Sequence, residues 1–142
     1  MIRSAATILF ATVMGLSLGA CNDTLASTGA DAAVGVYTLQ TIDGQSLPVI
    51  VDQQGNDIAE ITQGTVTLDA DGSFADVTEL SITQSGVVST ETDAAVGAWA
   101  LSGRTVQFVP NDGSGVYEMT WDGQDQLTQS FNGSILVYQR QP

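Results

Sequence analysis

The residue types that most often carry catalysis are scarce in this chain. The sequence has no histidine, no lysine and a single cysteine, Cys21. A serine nucleophile therefore lacks the imidazole base that usually activates it, and a Schiff base to lysine cannot form. Paired carboxylates could hydrolyse glycosides, but sixteen acidic residues bring some pairs together by chance. We therefore expect a protein that is not an enzyme, with no catalytic residue and no cofactor.

Cys21 stands in a setting that suits one specific modification. A basic start is followed by an uncharged, apolar run over residues 5–18, and the segment Leu18-Gly19-Ala20-Cys21 closes that run. Small residues after an apolar segment are what a signal peptidase needs to grip an extended substrate. The run is shorter than the ~20 residues of a transmembrane helix, and no basic flank follows it. The segment therefore predicts cleavage rather than a membrane span.

The same four residues resemble the lipobox of bacterial lipoproteins, in which the cysteine receives diacylglycerol. The resemblance implies that residues 1–20 are a removed signal peptide and that Cys21 anchors the protein to a membrane, since each buried methylene contributes ~0.8 kcal/mol. It also implies a place in the bacterial cell envelope. Asn22 follows the cysteine where an aspartate would signal retention at the inner membrane. This favours the outer membrane, with the domain facing the periplasm.

The charge of the chain limits its partners. Residues 21–142 contain two arginines and all sixteen acidic residues, a net charge of −14. Such a charge repels phosphate backbones, so we expect no nucleic-acid binding. A basic protein partner is compatible with it, and so is a charge that serves solubility alone. We expect the acidic side chains to lie in turns and at outward strand positions.

Two acidic segments invite comparison with calcium loops. Residues 69–73 and 111–115 both combine Asp with Gly and Ser. A calcium loop also needs a distal bidentate glutamate and two flanking helices, which neither segment has. Asp-Gly is the usual hairpin turn, and zinc lacks its histidine and free cysteine ligands. We therefore predict turns here and no metal site.

The pattern of apolar residues predicts strands. Residues 21–33 are small and polar and predict a flexible tether, whereas from residue 34 onward apolar residues recur at every second position. Asp-Gly, Asn-Gly and Ser-Gly pairs interrupt this alternation and predict tight hairpin turns. The predicted strands cover residues 34–41, 47–51, 58–62, 65–69, 73–83, 87–92, 96–101, 104–109, 115–121, 126–131 and 134–140.

Many short strands with short links indicate an all-β fold. Parallel pairing would need crossovers of a dozen or more residues, and the gaps are too short for them. An antiparallel up-and-down meander removes its edges by closing into a small barrel. A two-sheet β-sandwich built from the same strands is the alternative.

Four segments resemble small bacterial lipocalin-like lipoproteins: 34–39 (VGVYTL), 42–48 (IDGQSLP), 97–103 (GAWALSG) and 136–140 (LVYQR). In lipocalins a Gly-x-Trp motif opens the first strand, and a late arginine packs across the tryptophan. In this chain Tyr37 takes the place of the tryptophan and Arg140 is the arginine. The resemblance implies that residues 34–142 form a lipocalin-like barrel that binds a small apolar ligand.

The aromatic residues are the best candidates for a ligand-binding surface. Rings on inward strand positions could line an apolar pocket, or they could simply fill the barrel. The protein would then be either a ligand-binding lipoprotein or a structural lipoprotein whose acidic surface meets a basic partner. The candidate ligand-binding residues are Tyr37, Trp99, Phe108, Tyr117, Trp121 and Phe131.

Overall fold

The computed structural model describes residues 29–142, which form one short helix and ten β-strands. The elements are α1 (Ala30–Ala33), β1 (Gly35–Ile42), β2 (Gln45–Ser46), β3 (Val49–Gln54), β4 (Asp57–Leu68), β5 (Ser73–Gln84), β6 (Val87–Ser102), β7 (Thr105–Pro110), β8 (Tyr117–Trp121), β9 (Gln126–Phe131) and β10 (Ser134–Arg140).

Eight of these strands close into an antiparallel barrel. Neighbours pair in the order β1-β10-β9-β8-β7-β6-β5-β4, and β4 returns to pair with β1. Tyr37 on β1 marks the closure, because it faces Arg140 on β10 and Val66 on β4. β2 pairs with β1 and β3 pairs with β4, so both lie outside the ring. The predicted all-β barrel is confirmed, and this closure excludes the two-sheet sandwich.

Three hairpin turns follow the sequence closely. Asp43, Ser85 and Asn132 each have φ of 51°, and a glycine with positive φ follows each of them. Two successive positive φ angles give the type I′ turn, whose twist matches that of the flanking strands. The Asp-Gly, Ser-Gly and Asn-Gly pairs therefore set the register of the strands they join.

Two strands are longer than the sequence predicted. Predicted strands 58–62 and 65–69 form the single strand β4, and predicted strands 87–92 and 96–101 form the single strand β6. Gly64, which lies between the two predicted strands of β4, is placed where a Cβ would be 2.9 Å from Cβ of Leu39. It therefore permits close packing inside a continuous strand. In β6 the three residues between the two predicted strands, Asp93, Ala94 and Ala95, all pair with β5, so the ladder continues.

One end of the barrel is closed. The starts of β1, β5, β7 and β9 meet the ends of β4, β6, β8 and β10 there, and α1 precedes β1 at this end. The tether predicted for residues 21–33 lies mostly outside the described residues. Its last residues, 30–33, form α1, and Ala33 is fully buried against the barrel. We call this region, with the buried rings beneath it, the packed half.

The opposite end continues into an arm. The first half of β4, the second half of β5 and the first half of β6 extend past the other strands, and β3 covers β4 there. Most residues of the arm are exposed or half-buried. The barrel thus has a packed half at one end and, at the other, an open mouth bordered by this arm.

Candidate functional site

A cavity open to solvent lies in the mouth of the barrel. Its volume is ≈ 480 Å³, and a neighbouring lobe of ≈ 350 Å³ opens between β6 and the start of β8. The two lobes share residues from β5, β6 and β9 and so form one site open to solvent. The shared residues are Asp76, Thr78, Asp93, Gln129 and Phe131.

Apolar side chains supply much of the wall of this mouth cavity. Ile42 and Leu136 line it from neighbouring strands β1 and β10, and Ile61 and Leu80 line it from β4 and β5. Phe131 is 59% exposed, which is unusual for a large aromatic ring at an inward strand position. These side chains can cover the apolar body of a small molecule.

The floor of the cavity is a cluster of aromatic rings. Phe108 and Tyr117 stack with their ring centroids 4.8 Å apart and their planes 7° from parallel. Phe74 meets the Phe108 ring edge-on at 5.0 Å. Phe74 and Phe108 are buried, whereas Tyr117 also lines the cavity. The cluster is the part of the packed half nearest the mouth, and only its Tyr117 ring reaches the cavity.

A carboxylate stands at the edge of this floor. The Tyr117 hydroxyl donates a hydrogen bond to Oδ2 of Asp76 at 2.8 Å. Burial raises the pKa of Asp76, and the negative charge of Asp93 raises it further, while the bond from Tyr117 acts in the opposite direction. Burial and the Asp76 charge also raise the pKa values of Tyr117 and Tyr138. Two acids near one another in a partly enclosed site favour a ligand that brings a hydrogen-bond donor or a positive charge.

The structure divides the six predicted ligand-binding residues between the two regions. Tyr117 and Phe131 line the mouth cavity. The other four, which are Tyr37, Trp99, Phe108 and Trp121, are buried in the core, with exposures between 0% and 8%. The predicted lipidation site, Cys21, lies outside the described residues.

Tyr37 and Arg140 make the contact that the lipocalin resemblance implied for these positions. The guanidinium carbon of Arg140 lies 5.2 Å from the centroid of the Tyr37 ring, and Nη2 donates to the Tyr37 hydroxyl at 2.7 Å. Arg140 also donates to the carbonyl of Ala32, and the Tyr37 hydroxyl donates to the carbonyl of Ala33 at 2.7 Å. Gly35 leaves room for this arginine, because a Cβ there would lie 3.3 Å from Arg140 Nε. The pair fixes α1 over the closed end.

The two tryptophans also have structural partners at the closed end. Trp99 donates through Nε1 to the carbonyl of Asp69 at 3.0 Å, and Trp121 donates to the carbonyl of Gln124 at 3.2 Å. Each indole therefore ties a strand to the loop beside it. Buried tryptophan N–H groups need such partners, and these contacts account for both.

Six polar residues that line the mouth cavity were not among the predicted site residues: Asp76, Thr78, Asp93, Gln129, Asn132 and Ser134. The expectation that acids occupy turns and outward positions was wrong for Asp76, because its side chain lies on the inward face of β5 and lines the cavity. The sequence did contain a signal for this, namely the position of Asp76 in the alternation of inward and outward residues. Asp76 and Thr78 lie between Phe74 and Leu80 at intervals of two, on the face predicted to be apolar. Polar residues that interrupt an inward face indicate a lined cavity rather than a filled core.

The acidic turn segments have internal hydrogen-bond partners. The Asp71 carboxylate accepts hydrogen bonds from the backbone N–H of Ser73 at 2.8 Å and from its hydroxyl at 2.6 Å. Asp112 accepts from the N–H of Ser114 at 2.9 Å. Across residues 29–142 no group of three or more potential metal ligands comes together. Over the same range, no helix has the length and apolarity required to cross a membrane.

Comparisons with protein-family models, with curated proteins and with solved structures found no match to this chain.

Proposed function

We propose that this protein is a non-catalytic binding protein of the bacterial cell envelope, anchored through an acylated Cys21. Its ligand is a small molecule with an apolar body and a hydrogen-bond donor or positive charge at one end. The binding site is the mouth cavity. The observation that carries this proposal is an open cavity of ≈ 480 Å³ in a barrel whose opposite end is filled by rings.

The size and lining of the cavity support a small ligand. Ligand pockets commonly measure ~300–1,000 Å³, and they combine apolar walls with a few polar groups that orient the ligand. In the mouth cavity Leu136 and Phe131 would cover the apolar body. Asp76 and Asp93 would receive the donor group, and an anionic ligand would be repelled by them.

A fluorescent probe tests this proposal. N-phenyl-1-naphthylamine is apolar, carries one N–H donor and becomes bright when it leaves water. We expect the full chain to bind it with a Kd on the order of 10 μM, or ~7 kcal/mol of binding free energy. Thr78→Trp places an indole inside the cavity, because Thr78 lines both lobes. This variant should weaken binding at least tenfold.

The matched control places the same side chain outside the barrel. Gln107 is exposed on β7, between the buried residues Val106 and Phe108. Gln107→Trp should bind the probe as the wild type does, and both variants should keep the wild-type circular dichroism spectrum. Equal binding by the wild type and a folded Thr78→Trp variant would contradict the mouth cavity as the site.

A further inference from the structure

Ten residues of β6 have a strand neighbour on one side only. β5 pairs with β6 from Val87 to Ala98, whereas β7 pairs with it only from Gly97 onward. Within the described part of the chain, residues 87–96 therefore form a free sheet edge. This edge runs along the arm and ends beside the mouth of the barrel.

The backbone groups that face this edge can be assigned from two hydrogen bonds. The N–H of Trp99 donates to Gly72, on the β5 side, at 2.8 Å. The carbonyl of Val96 accepts from Asn111, on the opposite side, at 2.9 Å. Successive residues of an antiparallel strand direct their backbone groups to alternate sides. The outward groups of the free edge therefore belong to Val88, Thr90, Thr92 and Ala94.

The free edge is protected by acidic side chains alone. Natural edges are blocked by proline, a bulge, a short length or charged side chains, lysine above all. Residues 87–96 read VVSTETDAAV and contain neither proline nor lysine, and their register with β5 runs without a shift. The other long edge of the arm, β3, follows Pro48 and contains a register shift between Ile50 and Asp52. Only one of the two edges is thus prepared to accept another strand.

Charge indicates what would pair with this edge. Glu91 and Asp93 are exposed and lie on one face of β6, two residues apart. The whole chain carries a net charge of −13. A second copy added along this edge would bring acidic side chains toward acidic side chains, which is destabilising across paired strands. A segment with basic residues at alternate positions would place opposite charges there.

We propose that the free edge of β6 binds an extended basic segment of another protein by strand addition. The backbone groups of Val88, Thr90, Thr92 and Ala94 form the new ladder, and lysine or arginine at every second position of the partner lies across from Glu91 and Asp93. The backbone ladder and Glu91 lie outside the mouth cavity, whereas Asp93 also lines it, so a cationic ligand bound there would compete for that one contact. It gives a specific location for the basic partner that the net charge of the chain allows.

The test uses a fluorescein-labelled octapeptide of alternating lysine and threonine, and measures fluorescence anisotropy with the full chain in detergent. Thr92→Pro removes one outward N–H and leaves the β5 ladder intact, since proline is tolerated where the N–H faces solvent. We expect this variant to weaken peptide binding at least tenfold. Gln53→Pro on the β3 edge is the matched control and should bind as the wild type does. Thr92→Pro should bind N-phenyl-1-naphthylamine as the wild type does, because Thr92 does not line the mouth cavity, and this separates the test from that of the mouth cavity.

Two N-methylated peptides distinguish strand addition from adsorption by charge alone. Only every second amide of an added strand faces β6. In a peptide of alternating lysine and threonine these amides belong to one residue type. Methylation of that set should abolish binding, and methylation of the other set should not. Equal effects of the two patterns, or wild-type affinity in Thr92→Pro, would overturn the proposal. So would a dimer in analytical ultracentrifugation that dissociates in Thr92→Pro, because the occupant would then be a second copy.

Discussion

The two halves of the barrel use the same strands for opposite purposes. On β9 the inward positions change from buried Leu127 through Gln129 to Phe131, which is 59% exposed. On β5 they change from buried Phe74 to Asp76 and Thr78, which line the cavity. Buried rings fill one end, whereas polar residues and the exposed Phe131 line the open end. We therefore expect the packed half to supply most of the stability, and we propose that ligands bind in the mouth.

The largest expected effect comes from removing a ring from the packed half. Phe108 is fully buried and contacts Phe74 and Tyr117. Phe108→Ala should lower the free energy of unfolding by about 3–5 kcal/mol, measured by urea denaturation. Phe131→Ala is the matched control at the mouth and should cost less than ~1 kcal/mol. Similar losses in the two variants would show that the halves do not differ in this way.

A glycine beside the aromatic cluster tests how tightly the packed half is filled. A Cβ on Gly97 would overlap the Val109 carbonyl oxygen and lie 2.9 Å from Cα of Pro110, so backbone atoms would have to move. Gly97→Ala should therefore cost about 2–3 kcal/mol in urea denaturation. Ala98→Ser, at the next and exposed position, should change stability by less than ~0.5 kcal/mol. A stable Gly97→Ala protein would contradict the close strand packing described here.

Two buried tyrosines, Tyr37 in the packed half and Tyr138 at the mouth, allow the contribution of a tyrosine hydroxyl to be compared between the halves. The Tyr37 hydroxyl bonds to the Ala33 carbonyl and to Arg140 at the closed end. Tyr37→Phe should therefore lower the free energy of unfolding, measured by thermal denaturation, by about 1–2 kcal/mol. Tyr138 lines the mouth cavity, and Tyr138→Phe should cost less than ~0.5 kcal/mol. An equal loss in the two variants would argue against a specific role of Tyr37 in holding α1.

The smallest effect concerns charge at the mouth and depends on pH. Because burial raises the pKa of Asp76 above its ordinary value of 3.8, the folded protein keeps this proton at pH values where the unfolded chain has lost it. The stabilisation is complete below that ordinary pKa and is lost as the pH rises through the raised pKa. Asp76→Asn retains an oxygen that can accept the Tyr117 hydrogen bond. We expect it to raise Tm at pH 7 but not at pH 3.

An exposed carboxylate serves as the control for this pH dependence. Asp52 lies on β3 in the arm and is exposed. Asp52→Asn should leave the difference in Tm between pH 3 and pH 7 as it is in the wild type. An equal difference in Tm between pH 3 and pH 7 in Asp76→Asn and Asp52→Asn would show that the charged Asp76 carboxylate in the mouth does not destabilise the fold.

The barrel could be predicted from the sequence because the signals for its turns and for its inward face lie within short stretches of the chain. Each of the turns at Asp43, Ser85 and Asn132 combines a residue that tolerates positive φ with a following glycine, and the alternation between turns assigns the inward face. Tertiary packing decided what local signals could not. The sequence predicted two strands, 58–62 and 65–69, where β4 is continuous, and the packing of Gly64 against Leu39 within β4 is seen only in the closed barrel.

The binding region was harder to predict because it depends on which inward residues meet. The aromatic residues were predicted as one set, but the closed end buries Tyr37, Trp99 and Trp121 away from the cavity. Asp76 and Asp93 come together only because β5 and β6 pair in one register, which places Thr78 opposite Asp93. Sixteen residues lie between the two acids in the sequence, and no spacing rule joins them.

Native mass spectrometry of the full chain, extracted mildly from the membranes of a bacterial host, tests the central proposal most directly. We expect the mass of an acylated Cys21 together with a non-covalently bound small molecule that dissociates at raised collision energy. Thr78→Trp should retain the acyl mass and lose the small molecule, whereas Gln107→Trp should retain both. A bound molecule that persists in Thr78→Trp, or a wild-type protein that never carries one, would contradict a ligand-binding mouth.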